Sequence, residues 1–155
     1  MGAPTMKNHK QKFLRGVEVV GSVIIEDSEG KILLTRSPKW HNKWIMPGGH
    51  VEAGEKIEEA LIREAEEEVG LKLESLGIIA FGELVGSKDY HRPAHFIYFD
   101  ILCKTGDRNI ILDNKELTEY AWVEPEKALE MDLAEAYDDT IKEYLKFKHH
   151  QNNSS

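Results

Sequence analysis

The chain alternates between two hydrophobic periods, and the changeovers mark its elements. Val17 to Asp27 is dense in Val and Ile, Ser28-Glu29-Gly30 is a turn, and Lys31 to Thr35 returns, so this stretch reads as a hairpin. A polar loop from Ser37 to Lys43 carries Pro38 and Trp40, and a short extended piece, Trp44 to Met46, leads into Pro47-Gly48-Gly49. After a glycine-bounded loop, Gly48 to Gly54, the period becomes helical over Glu55 to Val69. Gly54 is an acceptable N-cap, and Glu55, Glu58 and Glu59 suit the positive end of the helix dipole. Gly70 falls where a left-handed residue closes the helix, with Leu71 placed to fold back on its last turn. Lys72 to Val85, His95 to Lys104 and Leu117 to Val123 read as strands. Pro125 opens a short helix to Met131, and Leu133 to Phe147 is an amphipathic closing helix. Strands, helix, strands and helices in that order, with no repeat or linker, predict mixed α/β layers in a single domain over residues 17–147. A basic tail, 1–16, and a disordered polar tail, 148–155, are expected to flank it.

Charge changes the picture inside the long helix. At about 100° per residue, Ile57, Ala60 and Leu61 define one face, and Glu64, Glu67 and Glu68 continue that face, while Glu55, Glu59 and Glu66 point toward water. Like charges at i, i+3 and i+4 repel, and on a partly buried face the cost grows unless a proton or a cation offsets it. Hard divalent cations are the natural partners of such oxygens, so Mg²⁺ or Mn²⁺ is expected; a Ca²⁺ loop is disfavoured because the ligands sit on a rigid helix without EF-hand spacing. Gly48 and Gly49 would let the backbone approach a ligand and free a carbonyl for the metal.

Composition excludes some classes. The net charge is −8, and between Glu52 and Glu68 eight Glu stand against Lys56 and Arg63. That balance argues against a nucleic-acid partner. No stretch approaches the roughly 18 apolar residues of a membrane span, and the start lacks an apolar signal segment, which makes a cytoplasmic location the expectation. The one cysteine, Cys103, sits in an apolar run and reads as a buried, inert thiol. A homodimer is left open.

The acidic segment resembles the Nudix box, which reads Gly, five residues, Glu, seven residues, Arg-Glu-apolar-any-Glu-Glu-any-Gly-apolar. Here Gly49, Glu55, Arg63-Glu64-Ala65-Glu66-Glu67-Glu68-Val69-Gly70-Leu71 fill every defined position. The resemblance extends to Leu33-Leu34-Thr35-Arg36, Trp44-Ile45-Met46-Pro47 and Trp122-Val123; Lys43 departs, standing where many members have Gly. It implies a Nudix-type α/β/α sandwich with a mixed sheet, and metal-dependent hydrolysis of a phosphoanhydride in a nucleoside diphosphate linked to another group. It also implies that Glu64, Glu67, Glu68 and the carbonyl of Gly48 bind metal, that Arg63 orients Glu67, and that Glu55 is structural. The general base stays open between Glu67, Glu116 and Glu119.

For the substrate, a nucleotide-type small molecule, Arg36, Lys39 and Lys43 are candidates to meet phosphates, and Trp40 and Tyr90 to stack on a base. Phe81 is expected to be buried instead. Gly86 stands where ADP-ribose enzymes of the family carry Pro, and Tyr90 lies one position past the Tyr of dinucleoside-polyphosphate enzymes. A nucleoside-triphosphate pyrophosphatase of the housecleaning type therefore leads. Cleavage of ADP-ribose or another nucleoside-diphosphate sugar is the alternative. A non-catalytic nucleotide-binding or regulatory module of the same fold is the reading from another class, and the complete acidic set stands against it.

Overall fold

The computed structural model describes residues 12–154. Its first strand, β1 (Val17–Glu26), buries Val23, Ile24 and Ile25 completely, and β2 (Ile32–Arg36) does the same with Ile32, Leu33 and Leu34. Successive strand residues face opposite ways, so three consecutive buried residues require cover on both faces of the sheet. Two layers of helix supply it. On one face α1 (Ile57–Val69) packs Leu61, Ala65 and Val69 against Val23, Ile25, Leu33 and Ile101. On the other, Ile141 and Tyr144 of α3 (Tyr137–Ser154) and Ala128 of the short α2 (Pro125–Ala128) cover Ile24, Ile32, Leu34 and Leu102.

The sheet between them is mixed. The remaining strands are β3 (Trp44–Ile45), β4 (Gly48–His50), β5 (Glu74–Val85), β6 (His95–Lys104) and β7 (Glu119–Val123). The main path runs β3-β2-β1-β6-β5, with β7 on β2 and β4 on β1. β1 and β6 are parallel from Val17↔His95 to Glu26↔Lys104, and the other pairs are antiparallel. On its second edge β1 pairs with β4 at Val20 to Ser22 and with β2 at Glu26. The expected α/β/α sandwich is therefore present.

Several boundaries differ from the sequence expectation, each for a local reason. The first helix begins at Ile57, not Glu55: Lys56 is the cap residue without a side-chain bond, and Gly54 lies in the loop. Glu55 is instead tied to that loop, its Oε1 accepting from the Glu52 N–H at 3.0 Å. At the other end Gly70 closes the helix in the left-handed region (φ 71°), as expected. The expected loop after Pro47 contains β4. The last helix starts at Tyr137, not Leu133, because residues 132–134 bond to Trp44 instead: Trp44 N–H to Asp132 O at 2.9 Å and Ala134 N–H to Trp44 O at 3.0 Å. It then runs to Ser154, through residues expected as a polar tail. Hydropathy could not mark that extension; side-chain bonds such as Lys148 to Glu26 and Asn153 to His149 accompany it. Residues 1–11 of the expected basic tail lie outside the described residues. Phe81 is a correction: it is 78% exposed, on the surface of β5 beside the Phe99 ring. Cys103 is fully buried, and burial pushes its thiol up to about 12.

Candidate active site

The turn of α1 that buries Ala65 and Val69 also carries Glu68 inward, leaving it 5% exposed. Strand β4 runs beside it, and the Gly48 N–H donates to Glu68 Oε2 at 3.4 Å. The pairing of β4 with β1 demands glycine at 48, where a Cβ would lie 2.0 Å from the Gly21 carbonyl oxygen, and contact is tight at Gly49, where a Cβ would lie 3.2 Å from Glu64 Cγ. Burial is the main influence on Glu68 and raises its carboxyl to about 9; Glu116, Glu64 and Asp113 push the same way, and the Gly48 N–H opposes them. A buried carboxyl facing three others fits a divalent cation in chemistry and charge.

The rest of the acidic set is arranged by Arg63. Its guanidinium reaches Glu55 at 2.8 Å, Glu64 at 3.2 Å and Glu67 at 3.5 Å. Glu64 is half-buried, whereas the Glu67 side chain is 62% exposed, at the outer edge of the helix. Glu66, expected to face only water, bends back over the Gly70 reversal and accepts from the Leu73 N–H at 2.9 Å. Among the described residues, no three His, Cys, Asp or Glu side chains already stand close enough together to enclose an ion.

A cleft of about 270 Å³ joins this acidic wall to an aromatic one. Glu52, Glu64, Glu68 and Glu116 line it, as do Trp40, Tyr90, Phe96, Tyr98 and Tyr137. The Trp40 ring lies 4.7 Å from Tyr90 and stands edge-on to Tyr137 at 5.6 Å. The loops carrying these rings are pinned together by His91 N–H to Lys39 O (2.8 Å), Lys43 to Asp89 (3.1 Å) and Glu135 N–H to Asp89 Oδ2 (2.8 Å). Tyr137 joins the two walls. Burial holds its phenol well above the usual range, its hydroxyl bonds Ser22, and the charges of Asp100 and Glu68 both act on it.

Of the substrate candidates, Lys39, Trp40 and Tyr90 line the cleft, and so does Glu116, which holds Lys39 Nζ at 3.0 Å. That bond is the chief reason the Lys39 ammonium titrates above its ordinary value. Arg36, Lys43 and Glu119 do not line it. Arg36 pairs with Glu119 at 3.2 Å and lies over the Trp44 ring at 4.6 Å, and Lys43 is engaged by Asp89. Sequence reasoning missed His50, held by Glu18 at 2.8 Å, while Arg92 clamps both oxygens of Glu18 at 2.7 and 2.8 Å. It also missed Asp100 and Thr140, which line the cleft as well. Asp100 did leave a signal, a lone acid in an otherwise apolar strand.

Comparison with known proteins gives the family. The NUDIX domain model matches residues 17–144. The chain is 36% identical over 106 residues to the nucleoside triphosphatase NudI of Escherichia coli, covering 64% of this chain and 74% of the relative. It is 34% identical over 138 residues to the m7GpppN-mRNA hydrolase NUDT17 of Xenopus laevis, covering 78% of this chain and only 46% of that longer protein. A NUDIX-family hydrolase structure from Clostridium perfringens superimposes with a TM-score of 0.70 at 23% identity, covering 84% of this chain and 97% of that one.

Proposed function

Because the chain belongs to the Nudix family of hydrolases, we propose that it cleaves a nucleoside triphosphate to the monophosphate and pyrophosphate. The observation that carries this reading is the single cleft shared by the acidic helix face and the aromatic cluster, so that phosphates and base can be held at once. The relationship to a nucleoside triphosphatase supports it.

Nudix hydrolases generally need a divalent metal, and here Glu64, Glu67, Glu68 and the Gly48 carbonyl are the proposed ligands for Mg²⁺ or Mn²⁺. Bound there, such an ion supplies charge neutralisation of the phosphates and a more acidic water. Arg63 bridges the carboxylates of Glu64 and Glu67, which the helix sets one turn apart. Lys39, held by Glu116, meets the phosphate chain, and Glu116 is the loop carboxylate we assign as general base, since it lines the cleft and Glu119 does not. Trp40 and Tyr90 stack on the base.

The test is a product assay on nucleoside triphosphates, ADP-ribose and nucleoside-diphosphate sugars with Mg²⁺, Mn²⁺ or EDTA. Monophosphate plus pyrophosphate from a triphosphate, abolished by EDTA, is expected. Turnover of the sugars alone would replace the substrate assignment. Nucleotide binding without turnover of anything would make the chain a binding module.

A further inference from the structure

The alternation of β6 puts Phe96, Tyr98 and Asp100 on one face of the sheet, and the β1 register sets Ser22 beside Asp100. Phe96, Tyr98 and Asp100 all line the cleft, two rings leading to one acid. Asp100 is 1% exposed, and its partner is a hydroxyl, not a cation: Thr140 Oγ1 of α3 donates to Asp100 Oδ2 at 2.8 Å. Nothing in the hydrolysis of a phosphoanhydride calls for this group. A buried acid at low exposure is costly unless hydrogen bonds satisfy it, and a single hydroxyl leaves most of the acceptor capacity of a carboxylate unused. Burial pushes the Asp100 carboxyl up to about 7, with the Thr140 bond opposing that rise.

Resting on the nucleotide reading of the cleft, we propose that Asp100 selects the base: its carboxylate accepts from two adjacent N–H groups on a base edge, the pattern offered by guanine. The flat walls accept any purine or pyrimidine, so the rings alone give little discrimination. The acid at the floor does discriminate. An ionised carboxylate only accepts hydrogen bonds, so an imino N–H beside an exocyclic amine satisfies both of its oxygens. A base presenting carbonyl oxygens there sets lone pairs against lone pairs and leaves the acid unpaired. Thr140 acts as a positioning residue: by donating to Oδ2 it fixes the rotation of the carboxyl group. Asp100 lines the same cleft as Glu64 and Glu68, so a nucleotide reaching Asp100 with its base can extend its phosphates to the acidic wall.

The cleanest probe is a pair of ligands differing by one amine. GMP and IMP share every atom of the purine edge except the 2-amino group. Their binding to the whole protein is measured by calorimetry at about pH 8.5, above the Asp100 value, without relying on turnover. Wild type is expected to bind GMP about tenfold or more tightly than IMP, the size of one charge-assisted hydrogen bond. Asp100→Asn, nearly isosteric and able to donate as well as accept, is expected to bring that ratio to about one. Thr140→Val should lower the ratio partway, with melting curves confirming that both variants fold. A GMP/IMP ratio unchanged in Asp100→Asn, or tighter binding of CMP or UMP than of GMP by wild type, overturns the proposal. Triphosphate hydrolysis is assayed in parallel. Its absence alongside an Asp100-dependent GMP preference would sink the enzymatic reading and leave base selection standing.

Discussion

The two walls of the cleft are built in opposite ways. The acidic wall is built chiefly on one helix, which carries Glu64 and Glu68 and where spacing along the chain determines spacing in space, with Glu52 and Glu116 added from loops. The aromatic wall draws Trp40, Tyr90, Phe96, Tyr98 and Tyr137 from four separate segments that only the sheet brings together. The first wall gathers carboxyls that resist being ionised together; the second carries aromatic rings around one acid. A wall of the first kind needs a partner of opposite charge, whereas one of the second kind needs a flat partner. A nucleotide with a metal supplies both, and substitutions on the two walls should fail differently.

The largest expected effect is on turnover. Glu68→Gln or Glu64→Gln removes charge from the proposed metal shell and is expected to lower kcat by about 10² or more. Glu66→Gln keeps an oxygen to accept from Leu73 and should leave kcat nearly unchanged. Steady-state assays at saturating Mn²⁺ decide it, and equal losses at Glu66 and Glu68 would show that the helix acts as a scaffold only.

On the aromatic wall the loss should appear in binding. Trp40→Ala removes one stacking surface, worth roughly 1–3 kcal/mol for a base, and is expected to raise KM about tenfold or more with kcat little changed. A fall in kcat with KM unaltered would mean that Trp40 packs the loops, through Tyr90 and Tyr137, without touching substrate.

The same contrast explains what could be read from the chain alone. The hairpin, the long helix, its glycine stop and the acidic face all rest on local spacing, which a sequence displays directly. The degree of exposure of Glu66 and Glu67 was not legible, because it depends on Arg63 drawing Glu67 outward and on the reversal at Gly70 bringing Leu73 back to Glu66. Leu133 and Ala134 look helical in sequence, yet residues 132–134 give backbone bonds to Trp44, some ninety positions earlier. Arg36 and Glu119 were equally plausible site residues in sequence, yet the β2–β7 register pairs them with each other. Asp100 stands out in the sequence as an acid among apolar strand residues, but its place in the cleft and its bond to Thr140, forty positions away on another layer, do not.

Metal should distinguish the walls thermally as well. A cation binding only the folded protein adds roughly 2.7 kcal/mol at a hundredfold excess over Kd, which for a domain of this size is a rise in Tm of about 5 °C or somewhat more. Glu68→Gln is expected to melt higher than wild type in EDTA, since it removes a buried acid, and to gain less from Mn²⁺. Melting curves with EDTA and with Mn²⁺ test this. A variant that melts lower than wild type in EDTA yet gains the full increment would place the ion elsewhere.

The pH dependence of stability is the most discriminating effect, because per pH unit it is small yet differs between the two walls. Both walls hold an acid whose folded value lies above its ordinary one: Asp100 goes from 3.8 to about 7, and Glu68 from 4.5 to about 9. In each case the folded protein keeps a proton that the unfolded chain releases. The favourable contribution is therefore complete below the unfolded value and is lost as pH rises toward the folded one. Each group contributes a downward slope of at most about 1.4 kcal/mol per pH unit. In EDTA, Asp100→Asn should flatten the curve between about pH 4 and 7, and Glu68→Gln should flatten it from about 4.5 to 9. Saturating Mn²⁺ keeps Glu68 charged and removes its slope, while that of Asp100 persists. Glu18, held low by Arg92, works in the opposite sense at acid pH but is common to all three proteins, so it cancels in the differences. Urea midpoints across this range, for wild type and both variants with and without Mn²⁺, separate the two acids. If Asp100→Asn tracks wild type from pH 4 to 7, Asp100 is already ionised in the folded protein and the aromatic wall carries no buried proton. If Mn²⁺ leaves the Glu68 slope intact, the acidic wall is not where the metal binds.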